Sequence, residues 1–357
     1  MSSEKTIVLG IETSCDDTAC AIIDAAGTVV TSVVSSQLEA HREFGGVVPE
    51  IASREHLTNW PAVSVEALGR AGIGWDEVDL IAATRGPGLI GSLLVGLSVA
   101  KSLAYGLGKP FLGVHHLEGH LYSPFLKTPG EPAAAIPKRF VGLVVSGGHS
   151  ALYSVTEGEM TTIAETRDDA MGEVFDKVGK RLGLAYPQGP LVDELAERGT
   201  TGRFSLPISR CRDQSLDFSF SGLKTQTIRA IEALEGEGID TDLAKLGARY
   251  LEATEEVSGV LADFRHAAVG QILDRVTRLH NDEGISCLAV SGGAAANRLL
   301  RRELVVWAEK RNVDLRLVPL QYSGDNAAMI AHAALLRYRR GETDDPLCAD
   351  AASRIPI

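Results

Sequence analysis

One order of elements, read from hydrophobic patterning, occurs twice along this chain, and that repeat restricts the fold more than any other feature. Thr6–Ile11 is a β-branched apolar run, followed by a polar turn at Glu12–Thr18 and further runs at Ala19–Asp24 and Thr28–Val34. Period-2 runs separated by turn residues read as a meander. A helical stretch follows over Pro49–Gly69, with Pro61 expected to break or kink it. Strand Leu80–Thr84, a Gly-rich turn at Gly86–Gly91, a helix to Tyr105, strand Phe111–Val114 and a helix near His115 complete the first half. The second half opens with strands Phe140–Val145, Ala151–Thr156 and Met160–Ala164. Helices are expected over Asp169–Leu182, Leu191–Arg198, Gly222–Leu234 and Leu251–Leu279. Strand Ser286–Val290, helix Ala295–Lys310, strand Val313–Val318 and helix Asp325–Arg339 close it. Each half therefore runs strand, strand, strand, helix, strand, helix, strand, helix, and such internal self-similarity implies duplicated architecture.

This order resembles the α/β, duplicated two-lobe actin/Hsp70/sugar-kinase-like (ASKHA) fold, in which the active-site cleft lies between lobes. The expected division is 1–135 as lobe one with a metal-binding helix, 136–324 as lobe two with nucleotide-binding turns, and 325–357 as a final helix returning to lobe one. The Pro- and Ala-rich stretch Thr128–Lys138 suits a linker. A chain of 357 residues is long enough for two such cores. A fold of this kind hosts many activities, so function has to come from the site.

Composition narrows the classes. Net charge is -12, from 35 basic and 47 acidic residues, so a nucleic-acid partner would need a local basic patch or a second protein to supply phosphate contacts. The cysteines, Cys15, Cys20, Cys211, Cys287 and Cys348, form no C-x-x-C pair, which fits a reduced compartment better than a disulfide scaffold. No signal or transit pattern is read at Met1–Lys5, and the apolar stretch Leu89–Ala100 is short and rich in Gly and Ser. The expectation is a cytoplasmic protein without a membrane partner.

The candidate ligand turns follow from the repeat. The first hairpin turn of half one is Glu12-Thr13-Ser14-Cys15-Asp16-Asp17-Thr18, and that of half two is Val145-Ser146-Gly147-Gly148-His149-Ser150. Glycines let backbone N–H groups approach an anion with no Cβ in the way. Ser291-Gly292-Gly293-Ala294 precedes a helix, whose N-terminal amides favour a negative ligand. Asp16 and Asp17 could cap a turn; two adjacent acids beside a phosphate turn make sense if they act on a metal, a water or an amine.

His115-His116-Leu117-Glu118-Gly119-His120 is the sharpest local signal. His116 and His120 are four apart and share one helical face, a spacing that suits a transition-metal chelate. In the H-E-x-x-H motif of zinc proteases the glutamate directly follows the first ligand. Leu117 holds that place here, which weakens a proteolytic reading. Asp325, in Ser323-Gly324-Asp325-Asn326, is either a third ligand or a helix N-cap.

Together these motifs resemble the TsaD family of tRNA adenosine threonylcarbamoyltransferases, formerly described as glycoproteases. The resemblance is carried by G-I-E-T-S-C-D-D-T at 10–18, H-H-L-E-G-H at 115–120, V-S-G-G-H at 145–149, G-G-A-A-A-N-R at 292–298 and G-D-N-A-A-M-I-A at 324–331. F-S-F-S-G-L-K-T at 218–225 resembles the bacterial branch. The resemblance implies that His116, His120 and Asp325 bind one divalent metal, Fe(2+) by family habit with Zn(2+) as the chemical alternative. It implies substrate contacts from Val144, Val145, Ser146, Gly147, Gly148, Asp176, Gly189, Asp193 and Asn297. Gln188 stands where the family usually has the first of two glycines after a proline.

The implied donor is threonylcarbamoyl-AMP. The implied acceptor is the exocyclic N6 amine of the adenosine 3′ of the anticodon, in tRNAs reading codons that begin with A. The amine is a poor nucleophile and needs a base, for which Asp16 is the candidate, with Glu12 orienting it. Accessory partners implied by the resemblance are a non-catalytic paralogue, TsaB, and a small ATPase, TsaE. The rival readings are an ASKHA-type kinase or ATPase, which leaves the histidines unexplained, and a metalloprotease, which explains only the histidines.

Overall fold

The computed structural model describes residues 6–130 and 135–357, so part of the expected linker and the first five residues lie outside the described residues. In chain order the first elements are β1 (Val8–Glu12), β2 (Asp17–Ile23), β3 (Val29–Ser36), α1 (Leu38–Arg42), α2 (Pro49–Ala71), β4 (Leu80–Gly86), α3 (Ile90–Leu107), β5 (Phe111–His115) and α4 (His116–Tyr122). Then come β6 (Arg139–Val145), β7 (Ser150–Thr156), β8 (Glu159–Glu165), α5 (Met171–Arg181), α6 (Gln188–Arg198), α7 (Ser221–Gly236) and α8 (Glu255–Glu283). The last elements are β9 (Cys287–Ser291), α9 (Arg298–Arg311), β10 (Asp314–Leu317) and α10 (Ala327–Arg339). Two compact units result: unit 1 comprises Met1–Ile136 with Val318–Ile357, and unit 2 comprises Pro137–Leu317.

The sheets repeat one topology. Unit 1 has the order β3-β2-β1-β4-β5 and unit 2 has β8-β7-β6-β9-β10. In each, the first three strands pair antiparallel and the last two join in parallel. A hairpin can join antiparallel neighbours, whereas each parallel join needs a crossover, which is where the helices fall.

In unit 1 alternation along β1 sorts its side chains between two layers. Leu9 and Ile11 enter a core with Val63, Leu68, Leu97 and Phe111, filled from α2 and α3. Gly10 faces α10 instead, where an added Cβ would lie 2.3 Å from the Ala327 carbonyl oxygen. That close approach seats α10 on the centre of the sheet. The apolar helix α3 is long enough by composition to cross a membrane, yet Leu93, Leu97, Ala100 and Ala104 pack into this core.

Two expectations about helix ends are corrected. Pro61 does not break α2, which continues from Pro49 to Ala71. The carbonyl its missing N–H would have bonded belongs to Leu57, which is exposed, so water can satisfy it. The helix expected from Leu251 begins at Glu255, because Thr254 caps it by accepting the Val257 N–H.

Candidate metal centre and ligand turns

Unit 1 gathers its chemistry where β1, β4, α4 and α10 meet. His116 and His120 sit on consecutive turns of α4 and are both buried. Asp325 precedes α10, and its Oδ1 lies 3.5 Å from His116 Nε2 and 3.2 Å from His120 Nε2. The cap question is answered by its neighbour: Asn326 accepts the Met329 N–H and caps α10, which leaves the Asp325 carboxylate to face the histidines. One ligand atom from each of the three lies within 4.8 Å of the others.

These residues fit a metal. Ligand atoms about 2.1 Å from a tetrahedral ion stand about 3.4 Å apart, close to the two separations here. The electrostatics agree. Burial alone would lower the pKa of His116, but Asp325 and Glu12 outweigh it and hold it at about 9. Positive charge is therefore favoured among these groups.

Glu12 also has a partner that the sequence did not indicate. It is fully buried at the end of β1, and its Oε2 lies 3.1 Å from His116 Nδ1. The same carboxylate accepts the Thr84 hydroxyl and the Ser14 N–H. Its hydrogen bonds thus orient His116, aiming Nε2 at Asp325. Burial would raise its pKa, but His116 outweighs that and lowers it. A carboxylate behind a ligating histidine fixes its tautomer and raises its basicity. Only a 104-residue separation in sequence hides this pair; the available signal is an acid at the end of an otherwise apolar strand.

The other groups in unit 1 sort by environment. Asp16 is half-buried on the β1–β2 turn, and its backbone carbonyl accepts the Gln37 N–H. Asp17 is pushed up to about 7, by burial first and by Asp16 second. Burial and Asp16 push the Cys15 thiol far up, so it is no thiolate nucleophile near neutral pH. Glu118 is buried and raised to about 7 by burial, with Arg337 and Arg340 its opposing charges. Burial also lowers the pKa of His115.

Unit 2 carries its candidate residues on the β6–β7 hairpin, on α5 and α6, and at the N-cap of α9. In the β6–β7 turn, Ser146 N–H donates to the His149 carbonyl at 2.7 Å, and His149 N–H donates to Ser146 Oγ at 3.0 Å. Gly147 and Gly148 are exposed, with nothing within 4 Å of a Cβ added at either. No close packing around either position requires a glycine. Val144 and Val145 are buried strand residues behind the turn. Gly292 has φ +94, and a Cβ there would lie 2.3 Å from the Val145 carbonyl oxygen, so the β9–α9 turn packs directly on β6.

Asp193, Asn297, Asp176 and Gly189 form two linked pairs. Asn297 caps α9 through the Leu300 N–H and donates Nδ2 to Asp193 Oδ1 at 2.7 Å. Asp193 also accepts from Arg265 at 3.1 Å and from the Arg298 N–H. Arg265, buried on α8, was not legible as a site residue. Asp176 accepts the Gly189 N–H at 2.7 Å, which makes it a half-buried brace at the start of α6 rather than an ordinary exposed acid. Gln188 tucks under Gly179, where any Cβ would lie 2.5 Å from its own.

A duplicated α/β chain in two units, with two histidines on one helix and an aspartate before another in the first unit and exposed glycines on a hairpin of the second, defines the class: an ASKHA-type protein with a candidate metal centre. Two solved HypF structures share that fold. Full-length HypF in the phosphate- and nucleotide-bound form has a TM-score of 0.58 at 13% identity, covering 96% of this chain and 56% of that one. HypF of T. kodakarensis gives 0.59 at 13%, covering 95% and 48%. The TsaD family, tRNA N6-adenosine threonylcarbamoyltransferase, matches residues 28–332. Proteins named tRNA N6-adenosine threonylcarbamoyltransferase are 44% identical in Cyanothece sp., over 99% of this chain and 97% of that one, and 43% identical in Syntrophobacter fumaroxidans, over 98% and 99%. The one from Thermosipho africanus is 40% identical over 95% and 96%. The chain belongs to the TsaD family of tRNA N6-adenosine threonylcarbamoyltransferases.

Proposed function

We propose that this protein transfers the threonylcarbamoyl group from threonylcarbamoyl-AMP to N6 of the adenosine 3′ of the anticodon, in tRNAs reading codons that begin with A. The observation that carries the reading is the His116–His120–Asp325 constellation with ligand-edge spacing, in a chain 44% identical to a relative named for this transfer. His116, His120 and Asp325 would hold one divalent ion, Fe(2+) by family habit and Zn(2+) by equal ligand chemistry. A bound ion of this kind supplies Lewis-acid polarisation and offsets charge on a departing phosphate.

The chain's own residues do the rest. N6 attacks the carbamoyl carbon, the new C–N bond forms, the C–O bond to phosphate breaks, and AMP leaves. Asp16 takes the amine proton, and Glu12 keeps His116 in its ligating tautomer. The Gly147 and Gly148 amides receive negative charge on the donor; each such preorganised donor is worth about 3 kcal/mol. Asp176, Gly189, Asp193 and Asn297 shape the adenylate contacts around those turns. A TsaB-type paralogue and a TsaE-type ATPase are the proposed partners, the compartment is the cytoplasm, and no membrane is involved.

The test is single-turnover transfer of labelled threonylcarbamoyl to unmodified tRNA, with and without accessory proteins, before and after chelation. Asp16→Asn should retain metal and adenylate binding and lose transfer by about 10²- to 10⁴-fold. Unchanged transfer in that variant removes Asp16 from the base role, and full metal occupancy in His116→Ala removes the ligand assignment.

A further inference from the structure

His115 opens the histidine motif but is not one of the three ligands, and its ring is bonded on both sides. Its Nδ1 accepts the Leu117 N–H at 3.2 Å, capping α4. Its Nε2 lies 3.1 Å from the Ile355 carbonyl oxygen. A backbone N–H only donates and a carbonyl only accepts, so both bonds together fix one neutral tautomer with the proton on Nε2. The ring plane is fixed with it.

Ile355 belongs to an extended segment of unit 1 that is strapped over the β4–α3 turn. The Ala352 N–H donates to the Arg85 carbonyl at 2.9 Å, and the Gly88 N–H donates to the Ser353 carbonyl at 3.3 Å. Lys101 Nζ donates to the Ala349 carbonyl at 2.6 Å. Gly86, at φ +150, lets the strap lie this close, since a Cβ there would stand 2.1 Å from the Ala352 oxygen. Gly86 is also the register partner of His115 in the β4–β5 ladder, so strap, turn and ring share one contact.

The helix that His115 caps is only seven residues long and carries both imidazole ligands. A helix this short has few internal hydrogen bonds, and its direction is set by its packing on α10, where a Cβ at Gly119 would lie 2.9 Å from Ile330, together with how its ends are held. Its far end is held by Ser123 Oγ donating to the His120 carbonyl at 2.8 Å. Its near end is held by His115.

From these contacts we infer that His115 is a positioning residue that couples the 349–355 strap to the metal-ligand helix, so that metal binding and strap docking stabilise each other. The inference rests on the reading of His116, His120 and Asp325 as ligands. Coupling of this kind is reciprocal, which gives it a readout that a merely structural cap would not move.

The experiment uses the full chain with Co(2+) as the probe. His115→Ala should bind Co(2+) about tenfold more weakly, with an altered visible absorption spectrum, as loss of an outer contact to a metal site does. His115→Asn can still cap Leu117 but is too short to reach Ile355, so it should keep the wild-type spectrum and lose only the share of affinity that strap docking supplies. Hydrogen exchange at the Ala352 and Gly88 amides should slow on Co(2+) addition in the wild type and stay unchanged in His115→Asn. If His115→Ala does not fold, the exchange comparison with His115→Asn decides alone. Exchange at Ala352 indifferent to Co(2+) in the wild type overturns the coupling, as does wild-type affinity and spectrum in a folded His115→Ala. A wild type whose Co(2+) binding is untouched by His116→Ala overturns the ligand assignment itself, and the coupling with it.

Discussion

Glu12 shows what a single buried carboxylate does here. It is sealed from solvent and bonded to His116, so Glu12→Gln should keep the shape and lose the charge behind the ligand. Metal affinity measured by chelator competition should fall about 10- to 100-fold; unchanged affinity would leave Glu12 a packing residue. A second residue sets a pH dependence. His332 on α10 is buried and held down at about 4 by burial, below its ordinary 6.5. Between those values the unfolded chain takes up a proton that the folded chain refuses. Its stabilising effect is therefore full above about pH 6.5 and is lost as pH falls toward 4, by about 3 kcal/mol in all. Asp17 and Glu118, both raised to about 7, gain stability as pH falls through the same range. The His332 contribution is therefore read as the difference between the denaturant-unfolding profiles of the wild type and His332→Gln, which should widen as pH falls from 6.5 toward 4; parallel profiles would contradict it. At this scale the sequence made the histidine pair legible, because i and i+4 share a helical face wherever the helix lies. Asp325 was ambiguous between cap and ligand until Asn326 was seen to take the cap. Glu12 beside His116 and Arg265 beside Asp193 were not legible, since pairings 104 and 72 residues apart exist only once the sheets close.

At the scale of elements, the contact between β1 and α10 ties folding to the site. Gly10 admits the first turn of α10, and Asp325 lies just before that turn. Gly10→Ala should destabilise unit 1 by about 1–3 kcal/mol through overpacking. The same change should weaken metal binding, because the helix that places Asp325 is displaced. Thermal unfolding with and without Co(2+) checks both, and a wild-type midpoint in both states would show that the approach is not tight. The order of strands and helices was legible from period alone, because each half had to bury one sheet between helices. Helix ends were less so. Pro61 fails to end α2 because the lost bond faces water, and α8 waits for Thr254 because a hydroxyl there satisfies an end that Leu251 could not.

At the scale of the whole molecule, charge and fold set the terms of the reaction. A chain with net charge -12 repels polyanions at long range, so the isolated protein should hold tRNA weakly. Its binding should fall about tenfold or more between roughly 50 and 200 mM salt. Tight, salt-indifferent binding by the chain alone would show that a basic surface or base readout suffices without partners. The duplicated topology, β3-β2-β1-β4-β5 and β8-β7-β6-β9-β10, suits a kinase-like activity as well as a carbamoyl transfer. It does not by itself decide between phosphoryl and carbamoyl transfer. That decision rests on the product. The most direct measurement incubates the protein and its accessory proteins with threonylcarbamoyl-AMP and unmodified tRNA, then digests the tRNA to nucleosides for mass analysis. Threonylcarbamoyladenosine at the position 3′ of the anticodon, lost on chelation and in His116→Ala, is the predicted result. Unmodified adenosine there, with the adenylate bound but not consumed, would contradict the account.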